Sequence, residues 1–409
     1  MPRRALIVGG SIGGLCAGLF LKQRGWSVDI YERSSEELTS RGAGIVSHPE
    51  LLALLAEAGA CTDTEFGIPV EERQVVDRNG TIVARFHYKQ IATSWTRLLH
   101  MLGDVFPSGH YHLGKSVNAI SGDGDYVEIE FADGTSASGD LLIGADGIRS
   151  TVRGFVVEEA EPIYAGYVGW RGLVHERDIP IGLHAGVFST MMFCLPPGEQ
   201  IICYPVAGPG DDLRPGHRWL NLIWYVPADE RTQLPALLTD IHGTTHSGSI
   251  PPPLIRPEVV AAMRSHGDDI LAPQFRALLP LAPQPFLQPI YDFESERMVR
   301  GRVALIGDAA FVARPHVGAG VYKAAGDADA LATALGEAGD IDVALHRFEA
   351  EREPVGRRIV DFGRYLGRCL RDEFDSESER QAAAHHRSPM GIIEETARLA
   401  FLYRAAPDW

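Results

Sequence analysis

Apolar residues gather into short continuous runs at three widely separated places, and each run ends in glycine with an acid close by. Ala5 to Val8 is apolar, Gly9-Gly10-Ser11-Ile12-Gly13-Gly14 breaks it, and Leu15, Leu19 and Leu21 then follow a helical spacing that ends near Gly25. A second run, Val28 to Tyr31, stops at Glu32. Short unbroken apolar runs suit strands buried on both faces, and the 3.6-residue spacing suits a helix lying on them. The opening therefore predicts strand, glycine turn, helix, strand. Leu141 to Ile143 runs into Gly144-Ala145-Asp146-Gly147 and a helix beginning near Ile148; Val303 to Ile306 runs into Gly307-Asp308-Ala309-Ala310. A long helix from about Val321 to Gly336 carries Asp327 and Asp329. An amphipathic helix follows from Ile341 to Leu370, then a charged helical tail over 371–409.

Between these runs the period changes. Pro49 to Gly59 reads as a helix with Leu51, Leu52, Leu54 and Leu55 inward, and Val70 to Tyr88 as a hairpin around Arg78-Asn79-Gly80. Trp95 to Leu102 is helical, and Val127, Ile129 and Phe131 alternate before the Ala132-Asp133-Gly134 turn. From Pro162 to Val226 the period is two: Ile163 to Val174, Val187 to Leu195, Gln200 to Val206 and Trp219 to Val226 predict antiparallel strands, and Pro227 to Pro285 is helical and punctuated by proline. The fold class is α/β, α+β overall. A Rossmann-like nucleotide-binding domain is built from 1–70, 94–160 and 290–340; an antiparallel-sheet substrate domain comes from 71–93 and 161–289, with a C-terminal helical segment over 341–409.

The opening unit has nucleotide chemistry. A glycine turn admits a pyrophosphate, the helix start offers free N–H groups and partial positive charge, and Glu32 can accept hydrogen bonds from ribose hydroxyls. Glu32 stands 23 positions after Gly9, close to the ~20 of the dinucleotide fingerprint. Gly9 and Gly14 hold the first and third glycine positions, and Ser11, small enough for close approach, holds the second. The plainer alternative is a tight turn in some other α/β protein. Asp146 reads either as a second nucleotide contact or as a helix N-cap, and the two are compatible. Arg33, Arg41 and the Gly42-Ala43-Gly44 loop follow the first unit, and the glycines permit close approach to a flat ligand.

Bulk properties narrow the class. A chain of 409 residues suggests two or three domains. The formal charge of −16 is dispersed and argues against nucleic acid or an anionic membrane. Five cysteines without C-x-x-C spacing indicate neither a disulfide framework nor a metal site. No stretch approaches ~20 apolar residues, so a cytoplasmic location is the expectation.

Three strands each delivering glycine and acid exceed what a generic Rossmann domain needs. Their order and spacing, from residue 5 to about 335, resemble the flavin-dependent aromatic hydroxylases of the para-hydroxybenzoate hydroxylase type, with an N-terminal fingerprint, a D-G pair and a G-D motif. Tyr164 to Gly172 and Gly307 to His316 are most similar to the dihydroxypyridine hydroxylase branch; Phe311 after G-D-A-A and Ser11 in the fingerprint accord with that branch. Trp95 stands where many relatives carry a flavin-contacting Arg, so that role is not transferred. No W-x-W-x-I-P halogenase motif is present.

The resemblance implies non-covalent FAD, reduction by NADH or NADPH, and addition of O2 to give a flavin hydroperoxide that oxygenates an electron-rich ring, most closely a hydroxylated pyridine. It places the pyrophosphate at Gly9, Ser11, Ile12 and Gly14, the adenosine at Glu32 and Arg33, the isoalloxazine loop at Gly44 with Arg41 as a further candidate, and FAD or NAD(P)H at Asp146 and Gly147. Asp308 takes the ribityl region, and Gly318, Ala319, Gly320 and Val321 stabilise the reduced flavin. Pro315 lies toward substrate. His316, with an ordinary pKa near neutrality, reads equally as a base for a ring hydroxyl or as a simple hydrogen-bonding side chain beside the flavin, and Tyr204 joins it among catalytic candidates. Tyr167, Arg171, Met192, Phe193 and Trp224 are the pocket candidates, although aromatic residues in strands are more often plain core. A small aromatic molecule is the expected partner, and analogy suggests a homodimer. Competing readings are a related oxygenase acting on a phenolic or isoprenoid substrate, and a non-catalytic flavin or nucleotide sensor.

Overall fold

The computed structural model describes residues 2–38, 44–60, 66–122, 124–158, 161–370 and 376–403. The three apolar runs lie side by side. Strands β1 (Arg4–Val8), β2 (Ser27–Tyr31), β6 (Tyr111–His112), β10 (Leu141–Gly144), β16 (Val299–Arg300) and β17 (Val303–Leu305) form one sheet in the order β16-β17-β10-β1-β2-β6. All its ladders are parallel except the β16–β17 edge. Ala5, Leu6, Ile7 and Leu141 to Ile143 are fully buried, as strands covered on both faces must be. The register aligns Val8 with Gly144 and with Tyr31, and Gly144 with Leu305. Gly9, Glu32, Ala145 and Ile306 therefore leave the sheet along one edge, where nucleotides bind in open α/β sheets.

A second sheet has nine strands, ordered β18-β15-β11-β14-β13-β12-β4-β5-β3. These are β3 (Gly44–Val46), β4 (Ile68–Val76), β5 (Ile82–Ser94), β11 (Ile163–His175), β12 (Thr190–Cys194), β13 (Gln200–Val206), β14 (Trp219–Pro227), β15 (Phe286–Glu294) and β18 (Phe311–Val312). Its ladders are antiparallel with one exception: β12 pairs with β4 in parallel. That ladder joins the hairpin to the later strands, and the residues between supply the crossover that parallel pairing requires. Helix Ile181–Val187 occupies the start of the predicted Val187–Leu195 run, so the strand begins only at Thr190. Strands β7 (Val117–Ser121), β8 (Val127–Phe131) and β9 (Ser136–Gly139) make a small third sheet.

The two faces of the large sheet do different work. One face, with Trp170, Met192, Cys203 and Trp224, packs on Leu234, Met263, Phe275 and Leu278 from the proline-punctuated helices. The other carries Tyr167, Met191, Phe193, Ile202, Tyr204, Ile223 and Tyr225, and receives Ile392 and Ile393 of helix Pro389–Glu395. The charged tail is thus packed against the sheet from 389 onward. In helix Pro49–Glu57, Leu51 and Leu55 are buried while Leu52 and Leu54 are half-buried. Among the described residues no helix is long and apolar enough to cross a membrane.

Candidate active site

Two glycines of the first turn, Gly9 and Gly14, have a local reason. Gly9 has φ +106°, and a Cβ there would lie 2.3 Å from the Ala145 carbonyl oxygen. A Cβ at Gly14 would lie 1.9 Å from the Gly9 carbonyl oxygen. Glu32, 6% exposed, accepts from the Gly10 N–H at 2.9 Å and from the Ser34 N–H at 2.9 Å, so its carboxylate holds the turn from across the edge. Helix Ile12–Gln23 begins at Ser11, which makes no side-chain cap; helix Gly320–Glu337 begins at Ala319, likewise uncapped, and neither first turn carries an acid. Helices Trp95–Val105, Thr151–Val156 and Ile341–Arg368 are capped by Ser94, Ser150 and Asp340. The two uncapped N-termini face the same trough, and their free N–H groups suit an anionic or carbonyl-bearing ligand.

That trough consists of two joined cavities. One of about 760 Å³ runs from Gly9, Glu32 and Arg33 past Asp146 and Gly147 toward Ser247 to Ser249. The other, of about 370 Å³, lies between the two helix starts and the second sheet. Ser11, Trp95, Gly147 and Asp308 border both. A long ligand with a polar middle and a flat end fits this shape. Its phosphates would lie at Ser11 and its ring beside Gly318 to Val321. FAD is such a molecule, and the uncapped helix ends match its pyrophosphate and ring carbonyls.

The helix expected near Ile148 begins at Thr151 with Ser150 as its N-cap, and Asp146 supports that cap from outside, accepting from the Thr151 N–H at 2.7 Å and the Val152 N–H at 3.2 Å. Burial pushes its carboxyl up, against the pull of Ser150 and the backbone amides. Its neighbour Gly147 adopts φ +79°. The D-G and G-D turns are joined by Arg153, a residue sequence reasoning passed over. Its guanidinium donates to the carbonyls of Ile148 and Ala309 at 2.8 Å each and of Asp308 at 2.8 Å. Asp308 itself is exposed to the trough, with the Lys323 Nζ 3.2 Å away. Asp327, noted in the sequence without a role, accepts from the Gly307 N–H at 2.9 Å and pairs with Arg352 at 2.8 Å.

Gly318 has φ +68°, and its carbonyl accepts from His48 Nε2 at 3.2 Å. His48, also missed, is buried, with its pKa lowered to about 4 mainly by desolvation; its Nδ1 has no partner. A carbonyl only accepts, so His48 carries its proton on Nε2.

The ring cavity draws Ile12, Gly44, Arg171, Phe193, Tyr204, Pro315, His316, Gly318, Gly320 and Val321 together as expected candidates. Ala319 is buried behind them. Tyr167 shares their face and packs edge-on against His316 with ring centroids 5.9 Å apart. Two pocket candidates are corrected. Met192 and Trp224 point to the opposite face, where the Trp224 Nε1–H donates to Glu199 at 2.7 Å; Met191 and Tyr225 take the cavity side. Arg41 lies outside the described residues. The basis for His316 as a base also changes. It is 9% exposed, neither ring nitrogen has a partner, and burial followed by the Arg314 and His386 charges pushes its pKa down to about 3. It is a neutral imidazole, able to donate one hydrogen bond and accept another.

Comparison with known proteins agrees with this geometry. Residues 164–292 match a family model described as FAD binding domain-like, and residues 287–363 match one described as FAD binding domain. The chain is 35% identical over 363 residues to the 2,6-dihydroxypyridine 3-monooxygenase of Paenarthrobacter nicotinovorans, covering 88% of this chain and 89% of that one. The structure of 2,6-dihydroxypyridine-3-hydroxylase from Arthrobacter nicotinovorans superposes with a TM-score of 0.86 at 32% identity, over 92% of this chain and 95% of that chain. Klebsiella pneumoniae HpxO complexed with FAD and uric acid superposes with a TM-score of 0.77 at 26% identity, over 97% and 98%.

Proposed function

Because the chain belongs to the FAD-dependent aromatic hydroxylases of the para-hydroxybenzoate hydroxylase type, we propose that it hydroxylates a hydroxylated pyridine or a comparable phenol-like ring, using NADH or NADPH and O2. Bound FAD supplies the redox chemistry, accepting a hydride and activating O2. The chain's own residues bind, orient and shield. Ser11 and the first helix start hold phosphate, and Asp308 with Lys323 stands at the ribityl region. The Gly320 helix start, steadied by His48 on the Gly318 carbonyl, sets partial positive charge against the ring carbonyls. Met191, Phe193, Ile202 and Ile223 give the ring cavity apolar walls that exclude water. His316, neutral and unpartnered, would hydrogen-bond a ring hydroxyl and raise electron density at the carbon attacked.

One observation carries this reading: the dinucleotide trough opens into a cavity of about 370 Å³ at the uncapped start of helix Gly320–Glu337. The test is to purify the protein, record its flavin spectrum, and follow NAD(P)H oxidation and product mass with hydroxypyridines and phenols. Hydroxylated product coupled to NAD(P)H oxidation is expected. A colourless protein that oxidises no NAD(P)H would overturn the reading, and an epoxidised isoprenoid product would favour the related-oxygenase alternative.

A further inference from the structure

Behind Asp308 lies a lysine whose place in the fold is unfavourable on two counts. The Lys323 side chain is 0% exposed, and its Nζ stands 3.2 Å from Asp308 Oδ1. Among the described residues no other group bonds this ammonium, although it carries three donors. Its helix position is also wrong for a cation. The Lys323 N–H reaches the Ala319 carbonyl at 2.8 Å, so the residue closes the first turn of helix Gly320–Glu337. Partial positive charge gathers at that end and disfavours a second positive charge. One turn further along, Asp327 is a different case: it is buried, bonded to both the Gly307 N–H and Arg352, and ties elements of the fold together. Lys323 ties down one side chain, and that side chain faces the trough.

Asp308 is fixed on every side but one. Arg153 donates to its carbonyl at 2.8 Å, Lys323 holds Oδ1, and the N–H of the preceding Gly307 is taken by Asp327 at 2.9 Å. Oδ2 has no partner among the described residues. The side chain is 49% exposed and borders both cavities of the trough. A carboxylate presented in this way accepts from a hydroxyl and repels a phosphate. FAD brings both, a ribityl polyol and a pyrophosphate. A cation placed behind the carboxylate cancels the repulsion while leaving Oδ2 free, and its burial keeps it from competing for the ligand itself.

We propose that Lys323 is a positioning residue for the cofactor. It holds Asp308 ionised with Oδ2 turned to the ribityl hydroxyls, and neutralises that carboxylate toward the pyrophosphate. The inference rests on the FAD reading of the trough and adds to it a residue that serves binding and not the fold.

Urea unfolding of the full chain over a series of FAD concentrations reads both quantities. The rise in stability with FAD gives the dissociation constant, and extrapolation to zero FAD gives the stability of the chain itself. K323M replaces a buried ammonium by an apolar side chain of similar length, an exchange that is often neutral or stabilising. Its unfolding midpoint without FAD should be no lower than that of the wild type, while its FAD dissociation constant should rise about tenfold. Adding D308N to K323M should weaken FAD by less than about threefold more, because the carboxylate without its cation no longer favours the ligand. Wild-type FAD affinity in K323M would overturn the proposal. So would a K323M chain that unfolds earlier without FAD or does not fold, since the ammonium would then serve the fold. A further tenfold loss in the double variant would show that Asp308 works without Lys323, and would overturn it as well. A wild-type chain whose midpoint does not move with FAD sinks the cofactor reading itself, before any variant is compared.

Discussion

Glu32 spends two of its acceptor sites on the protein itself, holding the Gly10 and Ser34 amides. Replacing it by Gln leaves one amide facing an N–H donor and removes the charge from both bonds. E32Q should lose about 1–3 kcal/mol of stability and release FAD more readily, read by denaturant unfolding and by flavin fluorescence in the filtrate. Unchanged values in both would show that the carboxylate does not hold the turn. Of the two readings of His316, the structure favours hydrogen bonding over proton transfer, since its pKa is pushed down to about 3. H316A should slow hydroxylation more than flavin reduction in rapid-mixing spectra; equal loss in both half-reactions would sink that role. Residue identities at strand ends were legible because glycine and acid beside an apolar run have few alternative uses. Pocket residues were less so. Met192 and Phe193 are adjacent in a strand, so alternation itself forbids both from facing one ring, yet only the pairing of β12 with β4 and β13 decides which one does.

Elements depend on close contacts that a single carbon would break. Gly14→Ala would set a Cβ 1.9 Å from the Gly9 carbonyl oxygen, against the start of the helix that would bind pyrophosphate. The variant should fold poorly or purify without flavin, and a yellow protein of wild-type stability would contradict this packing account. Asp327 ties three elements together: the G-D turn through Gly307, its own helix, and Arg352 of helix Ile341–Arg368. D327N breaks a buried pair and should cost about 3–5 kcal/mol, measured by unfolding in urea. Most of the element sequence was readable because the first-sheet strands run unbroken and apolar while the second-sheet strands are aromatic and β-branched runs between Pro/Gly turns; burial there does not alternate, since both faces of the sheet are covered. The parallel β4–β12 ladder was not readable. It joins residues more than a hundred positions apart, and nothing local distinguishes a strand paired that way. Nor did the tail's composition announce that Ile392 and Ile393 would be core.

For the whole molecule, two buried neutral imidazoles link folding to pH. His48 is lowered from 6.5 to about 4 and His316 from 6.5 to about 3. The unfolded chain binds protons that the folded chain refuses, so this stability is fully present above 6.5 and is lost as pH falls below it. Each histidine contributes a slope of up to about 1.4 kcal/mol per pH unit across that window. Denaturant unfolding at neutral pH and one to two units lower should show the fall, and His48→Asn and His316→Asn should flatten it. Identical slopes would mean these rings are not desolvated as the fold implies.

Thr396 borders the ring cavity and holds Arg73, yet it stands within the last few described residues of the chain. Every strand of the parallel sheet lies before residue 306, and the flavin-side helix ends at Glu337. The ring cavity thus takes part of its wall, Thr396, from a segment that follows every strand of the parallel sheet and the helix beside it.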